Sequence, residues 1–168
     1  MENIVDKKNH WMASHITEAQ FPTPLSQTGL SIYLSKPREC VTLDTSKAHP
    51  SQSESAITIY PVDCHPLTIR YSIVLASQWQ DETEKEAMIE YLTQIMFEPE
   101  SPAELYVGFY HGKPAACGMI FHDEQHGDLI ADVYALPIAQ QAQLIEDMHQ
   151  ALISRCHHSS VYIEKNAA

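Results

Sequence analysis

His122-Asp123-Glu124-Gln125-His126 sets two histidines four residues apart, the interval that places two imidazoles on one face of a zinc-binding helix. Its glutamate does not occupy the place of the water-activating base of such helices, and the stretch lies between two apolar runs. It therefore reads as a hairpin turn. His157-His158 beside Cys156 offers donors for a soft metal, but a strand candidate follows at once, and histidines at a helix end match the negative pole of its dipole. Cys117 sits mid-strand in residues 115–121 (AACGMIF), where a small buried residue is expected rather than the activated thiol of a Cys-His pair. Cys40, Cys64, Cys117 and Cys156 are too widely separated for a paired zinc motif and are expected as free thiols. The sequence thus assigns no metal.

The elements that must position any site are regular from residue 56 onward. Residues 56–62 (AITIYPV) predict a strand, and Asp63 an N-cap for a helix over residues 66–79. Asp81 predicts the cap of a second helix reaching residue 97, with Ala87, Met88, Tyr91, Leu92, Ile95 and Met96 at three- and four-residue spacing. Pro99 and Pro102 end it. Residues 105–110 (LYVGFY) and 115–121 pair about His111-Gly112-Lys113-Pro114. In residues 128–136 (DLIADVYAL), Leu129, Ala131, Val133 and Ala135 alternate with Ile130, Asp132, Tyr134 and Leu136. Pro137 is expected to open a helix to residue 156 with a stripe of Leu144, Ile145, Met148, Ala151 and Leu152. Residues 161–163 form a last strand.

Residues 1–55 differ in character. They hold Pro22, Pro24, Pro37 and Pro50 and a Ser-rich stretch, residues 46–55, that reads as a linker. Residues 30–35 (LSIYLS) and 40–44 (CVTLD) alternate about Lys36-Pro37-Arg38-Glu39 and predict a hairpin, preceded by a frayed helix over residues 3–20. The expected organisation is an extension, residues 1–55, before a main domain, residues 56–168, the two forming either separate parts or one unit.

The order strand, helix, helix, strand, strand, strand, helix, strand resembles the GCN5-related N-acetyltransferases (GNAT). The segments that carry the likeness are YVGFYHGKPAACGMIF and DLIADVYALPIAQQAQLIEDM. The resemblance implies an α/β fold with a mixed central sheet flanked by helices, here with an N-terminal hairpin extension. It also implies acetyl-CoA as cofactor, with Tyr134, Ala135 and Leu136 guiding the pantetheine arm through backbone groups. Gln140, Gln141, Ala142, Gln143, Leu144 and Ile145 would form the pyrophosphate loop, where helix N–H groups and the dipole favour anions. The family's loop carries Gln or Arg, then Gly, then Gly or Ala in the slots held here by Gln140, Gln143 and Ile145, so side chains at 143 and 145 are expected to narrow the cradle. By the same resemblance Asp128 or Asp132 is the base that takes a proton from an ammonium substrate. The family's C-terminal helix and hairpin have no counterpart after residue 156. The missing strands are expected from the N-terminal hairpin or from a second copy of the chain, since an open sheet edge invites pairing.

Charge narrows the partners. Ten Lys and Arg against 22 Asp and Glu give a net charge of -12, and residues 80–128 alone hold eleven acids and two bases. Such a surface repels phosphate backbones and excludes nucleic-acid binding by counterion release, while it favours an amine. No apolar run approaches a membrane span, and residues 1–15 lack the apolar segment of a secretory signal, so a cytoplasmic protein is expected. With the resemblance, two functions are expected: N-acyl transfer from acetyl-CoA to a small-molecule or protein amine, or a non-catalytic module of the same fold that acts through protein association, as a homodimer for instance.

Overall fold

In the computed structural model, which describes residues 2–43, 56–96 and 98–166, the helices begin with α1 (Ile4–Thr17), whose start is held by a reciprocal pair. The Asn3 side chain accepts the Asp6 N–H, and the Asp6 carboxylate accepts the Asn3 N–H. α2 (Pro24–Ser35) follows, capped by Thr23 with proline at its first position. Residues 30–35, expected as a strand, are therefore the second half of a helix. Six residues of alternation do not separate the two periods, because Leu30 and Tyr33 are also three apart, and the Thr23-Pro24 start decides for helix. On the same face Gly29 meets α4 (Glu82–Leu92): a β carbon there would collide with the Ala87 carbonyl, so glycine permits the close crossing.

The other predicted hairpin arm is real but pairs elsewhere. β1 (Arg38–Leu43) runs antiparallel to β6 (Val161–Asn166), from Arg38 opposite Asn166 to Leu43 opposite Val161. The N-terminal segment thus supplies the edge strand of the sheet beside β6. With β2 (Ile57–Pro61), β3 (Ala103–Tyr110), β4 (Lys113–Asp123) and β5 (Gly127–Ala135) the sheet has the order β1-β6-β5-β4-β3-β2, and β5 with β6 is its one parallel pair. The Ser-rich linker lies outside the described residues.

α1, α2, α3 (His65–Ala76) and α4 cover one face of the sheet around Met12, Tyr33, Tyr71, Tyr91, Met119 and Leu129. α5 (Gln141–Ile153) covers the other through Leu144, Met148 and Leu152 against Ile120 and Ile130. Three boundaries differ from expectation. Cys64 rather than Asp63 stands before α3, and α4 stops at its C-cap Thr93. Residues 137–140 form a turn, so α5 starts at Gln141 and not at Pro137, with the Gln141 N–H closing onto the Ile138 carbonyl.

One irregularity in β5 positions the site. Cys117 pairs with Tyr134 and Met119 with Ala131, so Gly118 alone faces two residues, Asp132 and Val133. This is a β-bulge, and Asp132 takes its left-handed position at φ 56°. The extra residue shifts the phase of the strand. Leu129 and Ala131 face the α1–α4 side and Ile130 faces α5, but beyond the bulge Tyr134 joins the first side and Val133 and Ala135 the second. The single alternation expected over residues 128–136 is broken at Asp132.

Candidate functional site

β5 and β6 pair only over Asp128–Val161, Leu129–Tyr162 and Ile130–Ile163, and then diverge. The bulge begins two residues later. Between the diverging strands lies a cavity of about 190 Å³ whose lining includes Lys36, Arg38, Asp132, Val133, Ile145 and Glu164. Behind it sits a buried polar network. Lys8 Nζ donates to Tyr33 Oη (2.9 Å) and to Glu164 Oε1 (3.0 Å), and Tyr33 Oη donates to Asp132 Oδ2 (2.7 Å). Arg38 Nε lies 3.2 Å from Glu164 Oε1, and its guanidinium covers the Tyr33 ring at 4.1 Å.

Two cations and two carboxylates balance in this network, which is how buried charge is tolerated. Burial lowers the Lys8 pKa, with Asp132 and Glu164 opposing. Burial raises Tyr33 well above its ordinary value, so its hydroxyl stays a donor. Burial also raises Glu164 against the pull of Lys8 and Arg38. Its second oxygen, Oε2, is buried without a partner. At the edge of the cavity burial brings Lys36 down to about 8, while Asp132 pulls the other way.

Asp128 stands at the opposite end of β5, about 13 Å from Asp132 by strand rise. It is fully buried and both its oxygens are committed. Oδ2 accepts the backbone N–H groups of His157 (2.6 Å) and His158 (3.0 Å), and Oδ1 lies 2.6 Å from Nδ1 of both His122 and His158. Burial pushes its pKa up, but these hydrogen bonds outweigh it and hold the carboxyl at about 2. Of the two carboxylates singled out from sequence, the fold brings Asp132 to the cleft and leaves Asp128 as a clasp between β4, β5 and the chain entering β6.

The residues assigned to acyl-CoA occupy the strand–turn–helix after the bulge. Tyr134 and Leu136 pack on the α1–α4 side, and Ala135 is buried toward α5. The Leu136 N–H donates to the Ala115 carbonyl, and the Gln141 side-chain amide donates to the Ala135 carbonyl at 2.9 Å. The side chains expected to narrow the helix start turn away from it. Gln140, at the N-cap, makes no side-chain cap; Gln143 lies along α5 to bond Asp147 at 2.9 Å; Leu144 is buried; Ile145 faces the cleft. Ala142 presents only a methyl, and the first turn holds no acid. The start of α5 is thus a helix end whose N–H groups and dipole suit an anion.

Lys8, Tyr33, Arg38 and Glu164 were not anticipated. For Lys8 a signal existed: it shares the four-residue spacing of Ile4, Met12 and Ile16, a lysine on an apolar stripe. Tyr33 was hidden by the strand reading of its segment.

A six-stranded mixed sheet, helices on both faces and one parallel pair that splays around a bulge make this a GNAT-like fold. Neither a protein-family model nor a curated protein sequence matches the chain. Solved structures share the fold, among them the following two. One, a conserved protein of unknown function from Staphylococcus epidermidis ATCC 12228, aligns over 82% of this chain and 55% of its own, at 15% identity and TM-score 0.58. The other, a GCN5-related N-acetyltransferase from Kribbella flavida, aligns over 82% of this chain and 54% of its own, at 12% identity and TM-score 0.51. The chain spans about half the length of each.

Proposed function

We propose that the chain transfers an acyl group, acetyl in the first instance, from acyl-CoA to an amine in the cleft between β5 and β6, with Asp132 as the base. The observation that carries this reading is the pairing of two carboxylates at the divergence: Asp132, pushed out by the bulge, and Glu164, whose buried Oε2 has no partner. An ammonium group supplies the donors that both oxygens lack. Asp132 accepts the proton that must leave before the nitrogen can attack, and Tyr33 holds its carboxylate by donating to Oδ2. Glu164 orients the amine through Oε2, and the Lys8–Arg38 pair keeps Glu164 in place. The edge at Val133 and Tyr134 that β6 leaves and the amides of Ala142 and Gln143 would hold acyl-CoA. When bound, it supplies the acyl carbon as a thioester and the CoA thiol as leaving group.

The test is thermal melting with millimolar acetyl-CoA, joined to release of free thiol with a panel of primary amines. A raised midpoint together with amine-dependent thiol release supports transfer; Asp132→Asn should keep the rise and lose the release. A second reading, a module without CoA binding that acts through protein association, is favoured by Ile145, whose side chain lines the cleft where the resembled loop carries Gly or Ala. An unchanged midpoint overturns transfer in favour of that reading.

A further inference from the structure

The clasp at the other end of β5 turns a second set of side chains toward one point. His122 Nδ1 faces Asp128 Oδ1 at 2.6 Å, in a register where the two residues are direct cross-strand partners. The Asp128 carboxylate, already accepting two backbone N–H groups, is placed to accept the proton of His122 Nδ1, and in the neutral ring that leaves Nε2 as the lone-pair nitrogen. That Nε2 is buried and has no hydrogen-bond partner. The group ahead of it is Glu104 Oε2, 3.7 Å away, too far for a hydrogen bond. Two ligand atoms on a tetrahedral zinc lie about 3.4 Å apart, given metal–ligand distances of about 2.1 Å. The ring of His157 stacks on His122 with centroids 5.2 Å apart, and Glu104, His122 and His157 each offer a ligand atom within 4.8 Å of the others.

We propose that Glu104, His122 and His157 form a site for a divalent transition-metal ion, zinc first, with Asp128 as the carboxylate that orients His122. Two imidazoles and one carboxylate suit zinc better than the oxygen-seeking calcium or magnesium. Both kinds of ligand have outer partners of the sort such sites use. Asp128 fixes the tautomer of His122, and Tyr106 Oη donates to Glu104 Oε2 at 2.6 Å. Cys156 is adjacent, but its thiol donates to the Leu152 carbonyl at 3.5 Å and is not among the three converging ligand groups. Three protein ligands leave a coordination position open on the side where Glu104 is 44% exposed, next to a hollow of about 260 Å³ formed with Val62 and Tyr106. The alternative set, His122, Asp128 and His158, would take an oxygen already bonded to two rings.

This site is independent of the acyl-transfer cleft, and its test uses metal alone. The full chain, stripped with chelator, is titrated with Co²⁺ and then with Zn²⁺. The expected result is one equivalent of Co²⁺ with the intense visible bands of a low-coordinate ion, which Zn²⁺ bleaches. Glu104→Ala and His157→Ala, both at partly or fully exposed positions, should each weaken binding about tenfold or more while melting stays cooperative, and His122→Ala should abolish it. His126→Ala, in the turn beyond, should leave it intact. A wild-type chain without Co²⁺ bands, or binding undiminished in both Glu104→Ala and His157→Ala, overturns the proposal.

Discussion

Asp128 and Asp132 lie four residues apart on one strand and have opposite surroundings. Asp128 sits where β5 is paired on both sides, and its oxygens are filled by two amides and two imidazoles. Asp132 sits where β6 has left, in the extra position of a bulge, with one hydroxyl donating to it. A carboxylate whose acceptor sites are all filled by the fold is a fastener. One with free lone pairs beside a cavity has capacity for a substrate proton. The chemistry of each residue is set by the backbone hydrogen bonding around it.

The comparison is most exposed to stability measurements. Asp128→Ala removes the acceptor from two backbone N–H groups and two rings, and should cost about 3–5 kcal/mol. Asp132→Ala should cost about 1–3 kcal/mol: the Tyr33 hydroxyl loses its acceptor, but Asp132 is only half-buried and water can take the place of its carboxylate. Urea denaturation of both variants checks the order, and equal losses would erase the distinction. Activity should reverse it: Asp132→Asn is expected to lower kcat about 10²–10⁴-fold with little change in the KM for acetyl-CoA. Asp128→Asn, assayed where it is still folded, should retain kcat within about tenfold.

A pH series sharpens the same contrast. The folded carboxyl of Asp128 titrates at about 2, below its ordinary 3.8. A depressed folded value means that the ionised form favours the native state, so the stabilisation is full above about pH 4 and is lost as pH falls toward 2. At 1.36 kcal/mol per unit it amounts to about 2 kcal/mol. The wild-type urea midpoint should drop through this window, and Asp128→Asn should show a shallower decline. Parallel curves would show that the acid limb belongs to other carboxylates.

How much of this was legible depended on how local the signal was. From residue 56 onward the order of elements follows from periodicity, turn residues and caps such as Asp81, all readable within a few positions. The bulge was not. After Asp132 the residues Val133, Tyr134 and Ala135 are all apolar, so a phase slip leaves no mark on the pattern, and only the pairing of Cys117 with Tyr134 reveals it. α2 was misread because its apolar positions suit both periods. The His122–His157 stack is not a sequence motif, since the β4–β5 turn and the return through α5 create it. Sequence inspection linked His122 to His126 and His157 to Cys156, the near neighbours of each, whereas the fold joins His122 to His157.

The smallest effect tests how the open end of β5 is kept in place. Four hydrogen bonds fasten the Asp128 end, whereas past the bulge the side chain that ties strand to helix is Gln141, through its amide on the Ala135 carbonyl. Gln141→Ala should cost only about 1 kcal/mol, the net contribution of one neutral hydrogen bond. The loss should be local. Hydrogen exchange should speed up at Leu136, whose N–H bonds Ala115, and in the first turn of α5, while the amides of His157 and His158 stay as slow as before. Faster exchange at His157 would mean that the two ends of β5 open together, and a clasp at one end with a hinge at the other would then be the wrong description of the strand.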